Sequence, residues 1–258
     1  METLVLKKRD GNMVSCVAEI PDPVKGIVIA IHGFSSSKEC PTYQVLLEKL
    51  PPAGLGMIGI DLPGHGRAES YRETLRLEGC MNSIAAAEEY IRSFYPDKPV
   101  YYFASSFGAY VTGLYISTRE HAGRKAFFRS AAVNMPSLFI KENPDEEERE
   151  KLRQLETEGY YWHSLDDQHQ PVRITRELYG DLEENDLFQI FDPDRFGHNE
   201  IYMAHGAEDT VIDPGKAEEF ARKYRLPMRF FEHEGHSLGN APETPGLVAD
   251  LAVSFYMC

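Results

Sequence analysis

Val100-Tyr101-Tyr102-Phe103-Ala104-Ser105-Ser106-Phe107-Gly108-Ala109 is the stretch on which the reading of the whole chain turns. An apolar run, Val100–Ala104, ends at two serines, and helical spacing follows at Val111, Leu114 and Tyr115. A nucleophile on a sharp strand-to-helix turn needs small residues two places before and two after it, because the backbone folds back on itself there. Ser106 has Ala104 and Gly108 at those places, whereas moving the register to Ser105 brings in Phe103 and Phe107. Ser106 is therefore the expected nucleophile. Taken alone the segment also fits a serine that caps a helix, so the remainder of the chain has to decide.

Outward from this turn, short apolar runs recur at Ile27–Ile31, Met57–Ile60, Ala131–Met135, Ile201–Ala204 and Met228–Phe231. Their near-continuous hydrophobicity is that of parallel strands covered on both faces. Between them lie helical patterns, including Tyr43, Leu46, Leu47 and Leu50, then Met81, Ile84, Ala85 and Ile91. Ala217, Phe220 and Ala221 form another, and Leu247, Val248, Leu251 and Phe255 the last. Strands alternating with helices give an α/β fold with a mostly parallel, doubly wound sheet. Ahead of it, Leu4–Lys7 and Met13–Ile20 flank the turn-forming Arg9-Asp10-Gly11-Asn12 and predict an antiparallel hairpin. Strand-like runs stop between Pro136 and Asn199, which predicts an inserted cap at 136–199 within a core made of 1–135 and 200–258. In that insert Asp145–Leu155 reads as a helix with acids first and bases later, Asn143 or Asp145 as its N-cap and Pro144 near its first turn.

Ligands of such sheets bind beyond the carboxyl ends of the strands, so the residues just past each run carry the functional information. Asp209 follows Ile201–Ala204 in His205-Gly206-Ala207-Glu208-Asp209, and His236 follows Met228–Phe231 in Glu234-Gly235-His236. The order Ser, Asp, His, each on its own loop, is that of a nucleophile, an orienting acid and a general base. Glu208 and Asp213 compete with Asp209, and His233 with His236; the place just past the strand and the Gly-His pairing favour Asp209 and His236. After the first parallel strand, His32-Gly33-Phe34 offers a backbone N–H for a developing oxyanion, so the amides of Phe34 and Phe107 are the expected pair of donors. His65, inside Asp61-Leu62-Pro63-Gly64-His65-Gly66-Arg67, is read as structural.

With these residues in place, the sequence resembles the α/β-hydrolase superfamily, in its serine-aminopeptidase-like, monoglyceride-lipase-like and cinnamoyl-esterase-like branch. The resemblance rests on His32-Gly33-Phe34, Asp61 to Arg67, Ala104-x-Ser106-x-Gly108, His205-Gly206-x-x-Asp209 and Gly235-His236, and spans nearly the whole chain. It implies the α/β-hydrolase fold and a Ser-His-Asp triad. It does not imply a substrate, because one fold hosts many activities.

Composition narrows the function classes. Of 258 residues, 42% are hydrophobic and 26% charged, as in an ordinary globular protein with a large core. The net charge of −14 sets the chain against phosphate backbones and anionic headgroups, so nucleic acid is not an expected partner. Four cysteines (Cys16, Cys40, Cys80 and Cys258) lie far apart with no paired spacing, which predicts no metal, no cofactor and reduced thiols in the cytoplasm. No apolar run is long enough for a membrane span. A monomer or homodimer acting on a small-molecule ester is expected, through an acyl-enzyme on Ser106. Phe139, Tyr160, Tyr161 and Trp162 are the candidate pocket residues, joined by Phe188, and they suit small to medium uncharged acyl groups, aromatic ones included. The competing enzyme class is an aminopeptidase or amidase whose cap carboxylates, Glu146–Glu148, hold a substrate α-ammonium. A binding module that merely keeps the fold would leave the triad unexplained.

Overall fold

The computed structural model describes residues 1–66, 72–164 and 170–258. Its centre is an eight-stranded sheet in the order β1-β2-β4-β3-β5-β6-β9-β10. β1 (Glu2–Lys7) and β2 (Met13–Glu19) form the antiparallel hairpin, and β2 joins β4 (Leu55–Ile60) antiparallel as well. From there the sheet is parallel: β3 (Gly26–Ile31), β5 (Val100–Ser105), β6 (Gly123–Arg129), β9 (Glu200–Gly206) and β10 (Met228–Phe231).

Every residue of β3 and β4 is buried, as their unbroken apolar sequences require when helices cover both faces. One face carries α1 (Pro41–Lys49) and the C-terminal α9 (Thr244–Met257), packed on Phe103, Phe127 and Met57. The other carries α2 (Leu77–Phe94), α3 (Phe107–Thr118) and α8 (Pro214–Tyr224), packed on Ile29, Tyr102 and Phe128. The strand expected at Ala131–Met135 is instead Gly123–Arg129. Ser130 takes a φ of +47° and ends the strand, so Ala131–Val133 are buried as a turn rather than as sheet. β10 also differs from its expected double burial, since it is the sheet edge and only Phe231 is fully covered.

Between β6 and β9 the chain forms α4 (Met135–Phe139), α5 (Glu146–Glu158), α6 (Arg176–Glu184) and α7 (Leu187–Ile190). Contrary to expectation this stretch does contain strands, an antiparallel pair of β7 (Tyr160–His163) and β8 (Val172–Thr175). Asp145 caps α5 and forms a reciprocal capping box with Glu148, which puts Pro144 immediately before the cap. Arg76 ties α6 to the sheet layer through a two-pronged bond to Asp181 at 2.7 and 2.6 Å.

Candidate active site

Ser106 stands between β5 and α3 with φ +51° and ψ −114°, a conformation L-residues rarely hold. The surroundings over-determine it. Ser106 N donates to Arg129 O at 2.9 Å, and Ser106 O accepts from Ala109 N at 3.0 Å, Tyr110 N at 3.2 Å and Ala132 N at 3.2 Å. The need for a small residue two places on is a matter of contact: a Cβ on Gly108 would lie 2.5 Å from both the Ile31 and His32 carbonyl oxygens. Gly108→Ala is therefore expected to lower stability by about 1–3 kcal/mol and to displace Ser106. A melting temperature checks this, and an unchanged value would contradict it.

The structure brings the three separated loops together. His236 Nε2 is 3.0 Å from Ser106 Oγ, and His236 Nδ1 is 2.8 Å from Asp209 Oδ2. Asp209 Oδ1 accepts from Val211 N at 2.8 Å and Ile212 N at 2.9 Å, which fixes the carboxylate plane. Burial acts to raise the Asp209 pKa, but hydrogen bonds from His205 and His236 outweigh it and hold the group below the ordinary carboxylate range. The competing residues are engaged elsewhere: Glu208 and His233 pair with each other on the surface at 3.0 Å, and Asp213 caps α8 through Gly215 N.

The sequence pattern alone gives His205 no role. It is fully buried, and its Nε2 lies 3.1 Å from Asp209 Oδ2 and 3.2 Å from Ile212 O. Oδ2 thus accepts from two imidazoles. The signal was a histidine ending an apolar strand four residues before the acid.

The His32-Gly33-Phe34 turn lies against Ser106, since a Cβ on Gly33 would meet Ser106 Cβ at 3.3 Å. Leu62 N donates to His32 Nε2 at 3.0 Å, so the ring proton is on Nδ1, which donates to Gly33 O at 2.7 Å. The Gly33–Phe34 peptide is planar, so anchoring its carbonyl also orients the Phe34 N–H. His65 is buried, and its Nδ1 lies 2.8 Å from Pro63 O, while its ring packs on Phe34 and Phe107 at 5.4 and 6.3 Å. Nearby, Asp61 accepts from Lys38 N at 2.7 Å and Lys38 Nζ at 2.6 Å. Arg67, the end of that motif, lies outside the described residues.

Burial pushes His32 down to about 4 and His65 down to about 3. Both are neutral in the folded chain at pH 7. Below about 6.5 the unfolded chain takes up protons that the folded one refuses, so stability falls with pH until those lower values are reached. At pH 5 each site costs about 2 kcal/mol relative to neutrality. Urea midpoints at pH 7.5 and pH 5 are expected to fall accordingly, and equal midpoints would contradict it.

Ser106 and His236 open onto a cavity of about 890 Å³. Phe139 and Tyr161 line it, with Leu138, Leu152 and Tyr179 beside them. Tyr160 and Trp162 do not. Successive residues of a strand face opposite ways, so with Tyr161 turned inward its neighbours turn out. Trp162 is 52% exposed and pairs with Tyr160, which lies under Arg173. Phe188 packs on Phe220 of α8 instead, ring centroids 5.2 Å apart.

A family model described as serine aminopeptidase, S33, matches residues 22–175, more than half of the chain. Solved structures with the same fold include Est1E from Butyrivibrio proteoclasticus with ferulic acid bound, at 15% identity and TM-score 0.79, covering 98% of each chain. A monoacylglycerol lipase from Paleococcus ferrophilus matches at 18% identity and TM-score 0.72, covering 99% of this chain and 98% of that one. Mouse alpha/beta hydrolase domain-containing protein 10 matches at 13% identity and TM-score 0.73, covering 100% and 99%. No curated protein matches the sequence.

Proposed function

We propose that this chain, which belongs to the serine aminopeptidase (S33) family of α/β-hydrolases, is a serine esterase cleaving carboxylic esters with small to medium uncharged acyl groups, aromatic ones included. The observation that carries the reading is the unbroken chain from Ser106 Oγ to His236 at 3.0 Å and on to Asp209 at 2.8 Å, at the wall of a largely apolar cavity. In this reading His236 takes the Ser106 proton as Oγ attacks the ester carbonyl. Asp209 holds the imidazole tautomer and stabilises the imidazolium without being protonated. The N–H groups of Phe34 and Phe107 receive the oxyanion, a contribution of about 2.7–4 kcal/mol for each donor. The alcohol leaves with a proton from His236, and water activated by the same ring releases the acid from Ser106.

Residues 136–199 act as a cap in this account, with Phe139 and Tyr161 facing the acyl group. Tyr161 and Tyr179 hydroxyls lie 3.2 Å apart on the cavity side, a polar point suited to a phenolic acyl group. Phe34, whose ring meets Phe107, Phe139 and His163 at 5.6 to 5.8 Å, provides an aromatic wall beside Ser106.

The aminopeptidase alternative needs free carboxylates to hold an α-ammonium, and those nominated from sequence are engaged. Glu146 pairs with Arg149 and Arg153 at 3.4 and 3.1 Å, Glu147 with Lys151 at 2.6 Å, and Glu148 with Lys141. This favours the ester reading over the amide one. A panel of butyrate, decanoate, hydroxycinnamate and aminoacyl-arylamide substrates tests it. Higher kcat/KM on esters is expected, and higher values on the arylamides would overturn the assignment. Among the described residues no helix is long and apolar enough to cross a membrane.

A further inference from the structure

The cavity continues past Ser106 to the face of the sheet covered by α1 and α9, where Cys40, Thr42, Val45 and Val248 line it. Ser105 and Arg129 are register partners on β5 and β6, so their side chains leave the same face of the sheet, the face that Phe103 and Phe127 occupy two residues earlier. Both residues line the cavity. Ser105 is 6% exposed, and its hydroxyl has no hydrogen-bond partner. A buried polar group left in that state is costly unless something else satisfies it.

Arg129 is always charged, and its Nη2 donates to Ser237 O, which leaves four N–H donors. No carboxylate among the described residues forms an ion pair with it. Asp209 and Glu234 act on it only at range, because their oxygens are committed. Those of Asp209 serve two histidines and two amides, and those of Glu234 serve Asn240 N at 2.8 Å and Ala241 N at 2.9 Å. The N-terminus of α1 reaches the same lobe through Cys40, Pro41 and Thr42, with no side-chain cap and a positive dipole end. A chain of net charge −14 thus turns an unpaired cation, an unpaired hydroxyl and a helix N-terminus onto one internal space.

We propose that this lobe is a carboxylate subsite, in which Arg129, the Ser105 hydroxyl and the α1 N-terminus hold an acid group carried on the alcohol portion of the ester. The inference rests on the esterase reading, with the acyl group under the cap and the alcohol on the α1 side. A carboxylate matches a guanidinium fork in plane and charge, and one monoanion balances the single unpaired cation. The reaction it implies is R–CO–O–R′–COO⁻ plus water giving R–COO⁻, HO–R′–COO⁻ and a proton.

The experiment compares kcat/KM for the butyryl esters of 3-hydroxypropanoate and 3-hydroxypropanamide, which differ in charge at the same length. The wild-type chain is expected to prefer the charged ester about tenfold or more. Arg129→Gln brings the ratio to about one, Arg129→Lys retains part of it, and Ser105→Ala lowers it severalfold. Taking the ratio within each variant cancels any disturbance of the His236 loop through Ser237. A wild-type ratio of one or below, with the neutral ester still cleaved, overturns the subsite and leaves the esterase reading standing. So does an Arg129→Gln loss that is equal for both esters, since Arg129 then only supports the loop. Cleavage of neither ester, with no labelling of Ser106 by a fluorophosphonate, overturns both.

Discussion

The Ser106→Ala variant is expected to lose about 10⁶-fold in kcat on an aryl acetate while keeping its melting temperature within a few degrees. The size follows from the way the three residues act as a unit. Without Oγ, His236 has no proton to take and no covalent intermediate forms, leaving only substrate binding and the oxyanion donors to act on water. The fold has little at stake in the hydroxyl, because Ser106 is held in place through its backbone N and O. Alanine at φ +51° is strained much as serine is, so stability does not separate the two variants. Retention of most of the activity would remove Ser106 from the mechanism.

Asp209→Asn is expected to cost about 10⁴-fold in kcat with the geometry largely kept. The argument lies in the donors around the carboxylate. Oδ1 receives two backbone N–H groups and Oδ2 receives His236 and His205, so every neighbour is a donor and the site has no place for an NH₂. An asparagine must either turn its NH₂ against amide donors or offer it to His236 Nδ1, which then carries no proton. In the second case Nε2 becomes the protonated nitrogen and cannot accept from Ser106. A kcat loss of tenfold or less would mean that Asp209 does not set the tautomer.

The legible part of the fold was the part whose residues report on burial directly. β3 and β4 are apolar without interruption and are buried without interruption. Ser106, Asp209 and His236 each follow such a run, and the sheet delivers strand ends to one edge, where the three side chains meet. β6 escaped because Arg124, Lys125 and Arg129 break its pattern, although only Arg124 is exposed; Lys125 covers its charge by donating to Phe255 O and packing over the Phe255 ring. Pattern reading does not see where the stem of a long cation lies. Tyr160 and Trp162 face away from the cavity, which the sequence does not show for a related reason. An aromatic run says nothing about direction until the segment is known to be a strand, and one residue of register reverses every side chain. His205 and Arg129 are a different case. His205 is four residues from Asp209, but only the fold turns its ring onto that carboxylate, and only the sheet sets Arg129 beside Ser105, its register partner.

The acidic balance also reads differently once positions are known. Glu146, Glu147 and Glu150 of α5 are taken up by Arg149, Lys151 and Arg153 on the helix surface and describe a solvated face, whereas Glu148, paired with Lys141, lines the cavity.

The most direct measurement of the central claim is the mass of the peptide carrying Ser105 and Ser106 after treatment with a fluorophosphonate. One adduct is expected, on Ser106, absent in Ser106→Ala, retained in Ser105→Ala and formed at least a hundredfold more slowly in His236→Ala. An adduct on another residue, or no adduct from a chain that still hydrolyses esters, would contradict the account.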